Sequence, residues 1–413
     1  MKFLRTAPTG RLLAVIAAIV GVIAAGAAIA VAATSAGPVP KAQTLAKSLH
    51  GALKAKPVSG ITADITFTNN LISSTDFTGG AKNPILQGAT GRLWWSPGNG
   101  ARLELQTTNG DTQIVVSKRR FWISDPSSST VYEGTLPAER KTAAAKQGAA
   151  DTGLPSVAKI QAELSRLMNH AMVTGAKTSN PTDVAGQPAY SVSISPKHSA
   201  GLLGSAQLAW DAATGVPLDI AVFARGNSTP VLELKATNIS YGHVSASDVA
   251  LTPPPGDKVV KIATPTTAGH SAATHAGKAR HHANVSGVSA VASHVPFTLA
   301  APATLVGLPR HTTTLLDFGG KPAALVTYGQ NLGGLAVIEQ SADTASKKTA
   351  AGQSSGSAGG LSLPTVSING ASGTELGTAL GTVLRYTKNG VAYTIIGSVL
   401  PTAATQAAQT LTP

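Results

Sequence analysis

An apolar run without a single charged residue extends from residue 12 to residue 33, and it constrains this chain more than any other feature. At ~1.5 Å per residue a helix over this run is about 33 Å long, which spans a ~30 Å hydrocarbon core. Lys2, Arg5 and Arg11 precede it without any acid. Because basic flanks stay on the cytoplasmic side, residues 1–11 are predicted inside and the rest of the chain outside. We therefore expect a single-pass cell-membrane protein, anchored by residues 12–33, with the bulk of the chain extracytoplasmic.

A cleaved signal peptide is the alternative for the same run. Residues 30–32 read Ala-Val-Ala, the small-x-small pattern that a signal peptidase accepts. The apolar region of a cleaved signal is typically ~7–15 residues, shorter than this run, which favours the anchor. Both alternatives predict export of everything downstream.

Composition narrows the chemistry that an exported chain of this kind offers. The sequence has no cysteine, so it has no disulfide framework, no thiolate metal site and no cysteine for lipid attachment. The net charge of +13 is spread along the chain, and its tightest cluster is Lys118, Arg119 and Arg120. Phe121 and Trp122 follow that cluster, a pairing that can grip single-stranded nucleic acid. A solvated hairpin tip explains it better on an exported chain, so we expect no nucleic-acid partner.

Residues 41–262 carry the pattern of one α+β domain. Leucines at i, i+4 and i+8 predict an amphipathic helix over 41–55, and a second apolar stripe predicts a helix over 154–172. Period-two alternation predicts a strand over 61–68. Turn-forming residues at 96–100 and 211–215 predict hairpins. Further strands are predicted over 91–95, 101–105, 112–116, 120–123, 131–132, 189–194, 206–210, 218–223 and 231–239. Prolines at 253–255 are expected to end this domain.

A linker and a second domain are predicted after that point. Residues 263–294 are small, polar or His and cannot form a core, so we interpret them as a flexible linker. Residues 295–413 predict a smaller α+β domain, interrupted by a disordered Ser/Gly/Ala loop over 344–360. Its predicted strands are 323–328, 335–339, 365–369 and 391–396, with an Asn-Gly hairpin at 388–390. Ser372 and Glu375 form a capping box, which predicts the start of a helix that extends through Leu384. A further helix is predicted at the C-terminus.

No pattern predicts a catalytic or metal site. Residues 352–356 match a nucleophile elbow but stand in the Ser/Gly loop, without the strand and helix that an elbow requires. Ser156 and Lys159 match Ser-x-x-Lys, yet the companion motifs are missing and Ser156 suits a helix start. Five histidines of the linker (His270, His275, His281, His282 and His294) lack any acidic partner in that segment, so we interpret them as a polar spacer. The chain is therefore expected to be non-enzymatic, without cofactor or metal, and an envelope hydrolase is the least favoured class.

Three segments in this order resemble the LolA-like superfamily of periplasmic lipoprotein carriers, which includes RseB-type envelope-stress regulators. They are the helix over 41–55 leading into 60–65 (Gly-Ile-Thr-Ala-Asp-Ile), residues 88–94 (Gly-Ala-Thr-Gly-Arg-Leu-Trp) and residues 210–218 (Trp-Asp-Ala-Ala-Thr-Gly-Val-Pro-Leu). Residues 326–330 and 363–370 resemble a domain that accompanies such modules in actinobacterial envelope proteins. The resemblance implies a curved antiparallel sheet, a half-barrel packed on helices, with an apolar cavity.

Two functions follow from the resemblance as expectations. The first is a non-enzymatic, membrane-anchored protein that binds a lipid or the acyl chains of a lipoprotein in the apolar cavity. The alternative is an RseB-like envelope-stress sensor, whose protein partner is an anti-sigma factor or another membrane protein. Candidate cavity-lining residues, for which ordinary core packing is the other interpretation, are Ile65, Phe67, Trp94, Leu103, Leu105, Trp122 and Trp210.

Overall fold

The computed structural model describes most of the sequence after residue 38. The described residues are 39–72, 84–106, 110–126, 128–136, 156–175, 180–197, 201–262, 285–317, 321–330, 333–342, 357–358 and 361–411. The predicted anchor over 12–33 and the nucleophile-like string at 352–356 lie outside them. Within these ranges, none of the helices has the length and apolar character needed to cross a bilayer.

The described helices are few and mostly short. They are α1 Leu45–Lys54, α2 Pro84–Gln87, α3 Val157–His170, α4 Ala246–Val249, α5 Val288–Ala292 and α6 Pro401–Leu411. Thr44 and Ser156 begin α1 and α3, because each hydroxyl accepts a hydrogen bond from a backbone N–H three residues ahead (3.3 Å in both). The predicted helices over 41–55 and 154–172 are thus confirmed with shorter bounds. Met172, predicted to be helical, lies in a strand and is 56% exposed.

Thirteen strands form one large sheet. They are β1 Ile61–Asn69, β2 Ala89–Ser96, β3 Gly100–Gln106, β4 Thr112–Ser117, β5 Arg120–Asp125, β6 Thr130–Thr135, β7 Ala171–Thr174, β8 Asn180–Val184, β9 Gln187–Pro196, β10 Leu203–Asp211, β11 Pro217–Ala224, β12 Pro230–Tyr241 and β13 Lys258–Ile262. Their order is β13-β6-β5-β4-β3-β2-β1-β12-β11-β10-β9-β7, with β8 also paired to β9. The pairs are antiparallel except β13 with β6. β13 follows the prolines at 253–255, so the sheet continues beyond the point where we expect it to end.

A second, eight-stranded sheet follows. It contains β14 Thr304–Leu305, β15 Leu308–Asp317, β16 Pro322–Tyr328, β17 Leu335–Ser341, β20 Thr365–Ile368, β21 Ala371–Thr378, β22 Gly381–Lys388 and β23 Val391–Gly397, while β18 Ser357–Ala358 and β19 Leu361–Ser362 form a separate pair. Helix α6 covers this sheet with Ala404, Ala407, Ala408 and Leu411. The predicted fold class is therefore confirmed: α+β, with a curved antiparallel half-barrel sheet, helices and a smaller α+β part after it.

The predicted helix that begins at Ser372 is wrong. Its residues form the antiparallel pair β21–β22, with Gly373 opposite Tyr386 and Leu376 opposite Val383. Thr382, Leu384 and Tyr386 are buried at every second position, which is the period of a strand. The leucines at i and i+4 misled the prediction, because a spacing of four fits both a helical turn and one face of a strand.

The end of the predicted linker is structured. Residues 263–284 lie outside the described residues, but residues 285–294 contain α5 and pair with the second sheet. Ser286 bridges Thr314, and the backbone N–H of Leu315 donates to the carbonyl of Val285 (2.9 Å). These bonds cover the outer edge of β15, which would otherwise expose unpaired backbone groups.

Among the described residues, hydrogen bonds join the two sheets near Ala379 and Ser398. The backbone N–H of Ala379 donates to the carbonyl of Leu71 (2.8 Å). The N–H of Leu202 donates to the Ser398 hydroxyl (2.9 Å), which donates in turn to the carbonyl of Leu380 (2.7 Å). Gly201 lets the chains approach this closely, since a Cβ there would lie 2.0 Å from the carbonyl oxygen of Ser398.

Candidate functional site

Five of the predicted cavity-lining residues lie on one apolar face of the large sheet. Ile65, Phe67, Leu103 and Leu105 belong to its main core cluster. The same apolar face extends from β1 across β12, β11 and β10 to β9 through a row of directly paired residues. These are Phe67, Leu234, Ile220, Leu208 and Val192. Trp210 lies at the far end of the same face, beneath Leu45 of α1 and beside Tyr190 (ring centroids 6.2 Å apart).

Trp94 and Trp122 lie on the opposite face. Trp94 is opposite Arg102, Arg102 is opposite Val115, and Val115 is opposite Trp122, so all four side chains point the same way. The Trp122 indole N–H donates to the carbonyl of Leu251 (3.0 Å), which closes over it. In the Trp94-Trp95 pair it is Trp95 that enters the core. The sequence does not show which aromatic of an adjacent pair faces the core, because either one fits the alternation of buried and exposed positions along a strand.

The apolar face is well filled. An apolar cavity of ≈ 30 Å³ lies between β1 and β11, lined by residues such as Ile65, Leu218 and Ile239. About one water molecule occupies such a volume, whereas ligand pockets typically measure about 300–1,000 Å³. An acyl chain would fit here only if packed side chains or the covering helices moved.

The opposite, polar face carries a cluster centred on Trp94, which is half-buried. The guanidinium carbon of Arg102 lies 4.5 Å from the indole centroid and that of Arg92 lies 5.7 Å away, so both are within cation–π range. Arg92 pairs with Asp64 (3.1 Å), both about half exposed. Arg102 pairs with Glu104 in a less exposed position. We call these five residues the Trp94 cluster.

A polar cleft of ≈ 200 Å³ lies on the same face, over β8–β12. We call it the Asp219 cleft; its lining includes Asn180, Thr182, Asp183, Ser193, Gln207, Asp219 and Lys235. Asp219 is only 5% exposed, and its Oδ1 has no hydrogen-bond partner. Burial and the negative charge of Glu233 raise the pKa of Asp219 to about 6, while Lys235 opposes the shift. The sequence does not reveal this cleft, since its residues are up to 61 positions apart in the chain and meet only through strand pairing.

A second buried acid lies in the eight-stranded sheet. Glu339 on β17 is 0% exposed, and its Oε2 accepts a hydrogen bond from the backbone N–H of Ala300 (2.9 Å). Its Oε1 has no partner. Burial raises the pKa of Glu339 to about 7, partly offset by the Ala300 bond. Burial of each ring, and to a lesser extent the charge of Glu339, raise the pKa of Tyr328 and of Tyr393 to about 12.

The motifs considered for catalysis have structural roles where they are described. Ser156 accepts from the N–H of Lys159, and so begins α3 as we expect. His294 Nδ1 is 2.7 Å from the carbonyl oxygen of Ala290, at the end of α5. The other four linker histidines lie outside the described residues.

Comparison with known proteins gives distant structural likenesses. Similar solved structures include the MucA/MucB complex of Pseudomonas aeruginosa (14% identity, TM-score 0.38, covering 88% of this chain and 96% of that one) and MucB in complex with MucA(peri) (15%, 0.37, 84% and 91%). A structure of MucB alone is also similar (15%, 0.34, 88% and 95%). No family model and no curated protein matches the sequence. At this identity and TM-score, the likeness carries no function over to this chain.

Proposed function

We propose that this chain is a non-enzymatic envelope protein that binds a membrane-protein partner, as an RseB-like regulator does, while residues 12–33 hold it on the outer side of the cell membrane. An anti-sigma factor is the kind of partner that the sequence resemblance implies. The observation that carries the proposal is the Trp94 cluster on the solvent-facing side of the large sheet.

Trp94 occupies a position where an antiparallel sheet ordinarily presents polar groups to water. Its neighbours on that face are Thr62, directly opposite on β1, and the two arginines. Tryptophan and arginine are the residues most enriched at binding hot spots, where a ring is fully desolvated by the partner. Leaving a large ring half exposed costs stability that binding would recover.

The charges of the cluster fit a polypeptide partner. Arg92 and Asp64 are about half exposed, so each keeps free hydrogen-bonding capacity towards a bound chain. The pairs with Asp64 and Glu104 neutralise both arginines locally, which disfavours a polyanion such as nucleic acid as the occupant. Aromatic and arginine contacts inside a polar rim are the usual anatomy of a protein–protein interface.

Photo-crosslinking in cells tests this proposal. We would place a photoreactive phenylalanine at Thr62, next to Trp94, in the full chain and identify adducts in the membrane fraction by mass spectrometry. We expect one dominant membrane-protein adduct, and its loss in a Trp94→Ala variant. Removal of a hot-spot ring costs about 2 kcal/mol or more, roughly a 30-fold loss of affinity.

Charge-matched variants provide the control. Arg92→Ala removes a member of the cluster, whereas Arg225→Ala removes an exposed arginine from the turn after β11. The proposal requires the adduct to weaken with the first and persist with the second. An adduct that survives Trp94→Ala in a folded protein, or the absence of any protein adduct, would contradict it.

Binding of a lipid or acylated ligand is a second candidate, favoured by the continuous apolar face. The helices α1 and α3 cover one end of that face, and α3 contributes Leu164 as a half-buried contact. Leu53 of α1 and Leu167 of α3 remain 48% and 38% exposed, so each covering helix also presents an apolar side chain to the surface. This function is supported if mass spectrometry identifies lipid in the purified full chain and the lipid is lost in the Phe67→Asp variant. It is contradicted if removal of all lipid leaves the stability of the protein unchanged.

A further inference from the structure

The Asp219 cleft contains a buried carboxylate that the packing does not explain. On the sheet, Asp219 of β11 lies between Ala209 of β10 and Lys235 of β12. It is only 5% exposed, it is one of the residues that line the cleft, and its buried Oδ1 has no hydrogen-bond donor. Burying such an atom unpaired is costly, so a carboxylate in this position suits a site that a ligand completes.

The charges around the cleft favour a cation. Asp183 of β8 and Asp219 line it as acids, Glu233 of β12 adds a third negative charge nearby, and Lys235 is the one basic residue of the lining. The net charge of these four residues is therefore negative when all of them are ionised. Lys235 offsets part of this negative charge, and the ion pairs found among the described residues do not involve Asp183, Asp219 or Glu233.

A cation that carries hydrogens fits better than a metal ion. Asp183 Oδ1 already accepts from the N–H of Gly186 (3.3 Å). No group of three or more His, Cys, Asp or Glu side chains with metal-ligand spacing occurs among the described residues. The remaining polar groups of the lining, on Thr182, Ser193 and Gln207, accept hydrogen bonds readily, and three N–H donors of an ammonium group suit several acceptors at once.

The volume sets the size of the ligand. A cleft of ≈ 200 Å³ holds about six water molecules, which corresponds to a ligand of about that many non-hydrogen atoms. We propose that the Asp219 cleft binds a primary ammonium group, presented either by a small amine or by the lysine side chain of another protein. This proposal is independent of the Trp94 cluster.

The ammonium group of Lys235 is the competing occupant. Lys235 is directly opposite Asp219 and is exposed, so its side chain has room to move. If it fills the cleft in solution, an added amine competes poorly, and Lys235→Ala opens a site that the natural chain lacks. If the cleft is a ligand site, Lys235→Ala removes only a repulsive charge and leaves amine binding unchanged or tighter.

Calorimetric titration of the full chain in a nonionic detergent tests the proposal. With n-butylammonium at pH 7.5 we expect saturable binding, and none with n-butanol, which lacks the charge. Asp219→Asn should weaken binding at least tenfold, whereas Asp111→Asn, which removes an exposed acid at the start of β4, should not. Binding should weaken at pH 5, because protonation removes the charge of Asp219; Glu233, Asp183 and Lys235 are the other charged groups that face it.

Peptide arms identify the source of the ammonium group. If acetyl-Gly-Lys-Gly-amide binds more tightly than n-butylammonium, the site is assigned to a lysine side chain. If it binds equally or more weakly, the site is assigned to a small amine. The control is the same peptide with norleucine in place of lysine, which lacks the ammonium group. The proposal is overturned if n-butylammonium gives no saturable heat, if Asp219→Asn binds it equally well, or if binding appears only after Lys235→Ala. Circular dichroism confirms that each variant is folded before its result is used.

Discussion

Replacement of Glu339 by Gln should remove most of the pH dependence of the eight-stranded sheet's stability. Glu339 is 0% exposed and its pKa is raised from 4.5 to about 7 by burial. A raised acid pKa means that the fold prefers the protonated form. The contribution of Glu339 to the free energy of unfolding is therefore fully present below about pH 4.5, its pKa in the unfolded chain. This contribution declines above that pH and is lost as the pH rises through about 7, the pKa in the folded chain.

The magnitude follows from the size of the shift. A rise of about 2.5 pH units at about 1.4 kcal/mol each gives a loss of up to about 3.4 kcal/mol between pH 4.5 and 8. Glu339→Gln keeps an acceptor for the Ala300 N–H and cannot ionise. Its new amide N–H₂ needs a partner, which costs about 1–3 kcal/mol if none forms. At pH 8 we therefore expect the variant to be more stable than the natural chain by about 0.4–2.4 kcal/mol.

Urea unfolding at several pH values measures this difference. All four tryptophans (Trp94, Trp95, Trp122 and Trp210) belong to the large sheet, so their fluorescence reports that sheet. The six tyrosines are divided between the two sheets, so hydrogen exchange of the β16, β17 and β23 peptides, measured at each urea concentration, reports the eight-stranded sheet. Asp219 changes the stability of the large sheet in the same direction, and the separate signals keep the two apart. Glu375→Gln, in the same sheet as Glu339, is the charge-matched control. An unchanged pH slope in Glu339→Gln would refute the reasoning.

Two glycine substitutions test the packing. Gly201→Ala places a Cβ 2.0 Å from the carbonyl oxygen of Ser398, so we expect faster hydrogen exchange at the junction between the sheets; Gly226→Ala, with a similar positive φ and open space, controls for backbone strain alone. Gly381→Ala places a Cβ 2.4 Å from the carbonyl oxygen of Gly397 and should lower the urea midpoint. In the helix predicted from the sequence it would instead raise stability by about 1 kcal/mol, so the sign of the change decides between the two structures.

The sequence predicts most local elements of this fold because their signals are short-range. The alternation over β1 and the turn chemistry of Asn389 and Gly390, which have positive φ as their hairpin requires, need no knowledge of distant residues. The error at β21–β22 has the same origin. Gly377 and Gly381 weaken a helix but suit close strands, and only the pairing with β23 and β20 decides between the two.

The candidate sites depend on information that the sequence holds only over long distances. Aromatic and aliphatic residues are easy to select as a pocket lining. The face of the sheet on which each one lies depends, however, on whether it falls at an odd or an even position of its strand. Trp94 and Trp122 lie on the other face of the sheet from Phe67 for that reason. Domain boundaries and the membrane anchor remain predictions, because they concern the residues between and before the described segments.

The Asp219 cleft shows why a polar site on a sheet is hard to find in advance. Asp219 stands between Leu218 and Ile220 in a strand whose alternation is ordinary, and an acid at a solvent-facing position normally remains exposed. It is buried here where β8 pairs with the edge of β9 and brings Asn180 and Thr182 into the lining of the cleft that contains Asp219. Asn180 and Ser191 hold that arrangement, since the Asn180 amide donates to the Ser191 hydroxyl (3.1 Å). Burial of the carboxylate is therefore a property of the β8–β9 hairpin, and a change that loosens this hairpin should lower the pKa of Asp219 even where it leaves β11 intact.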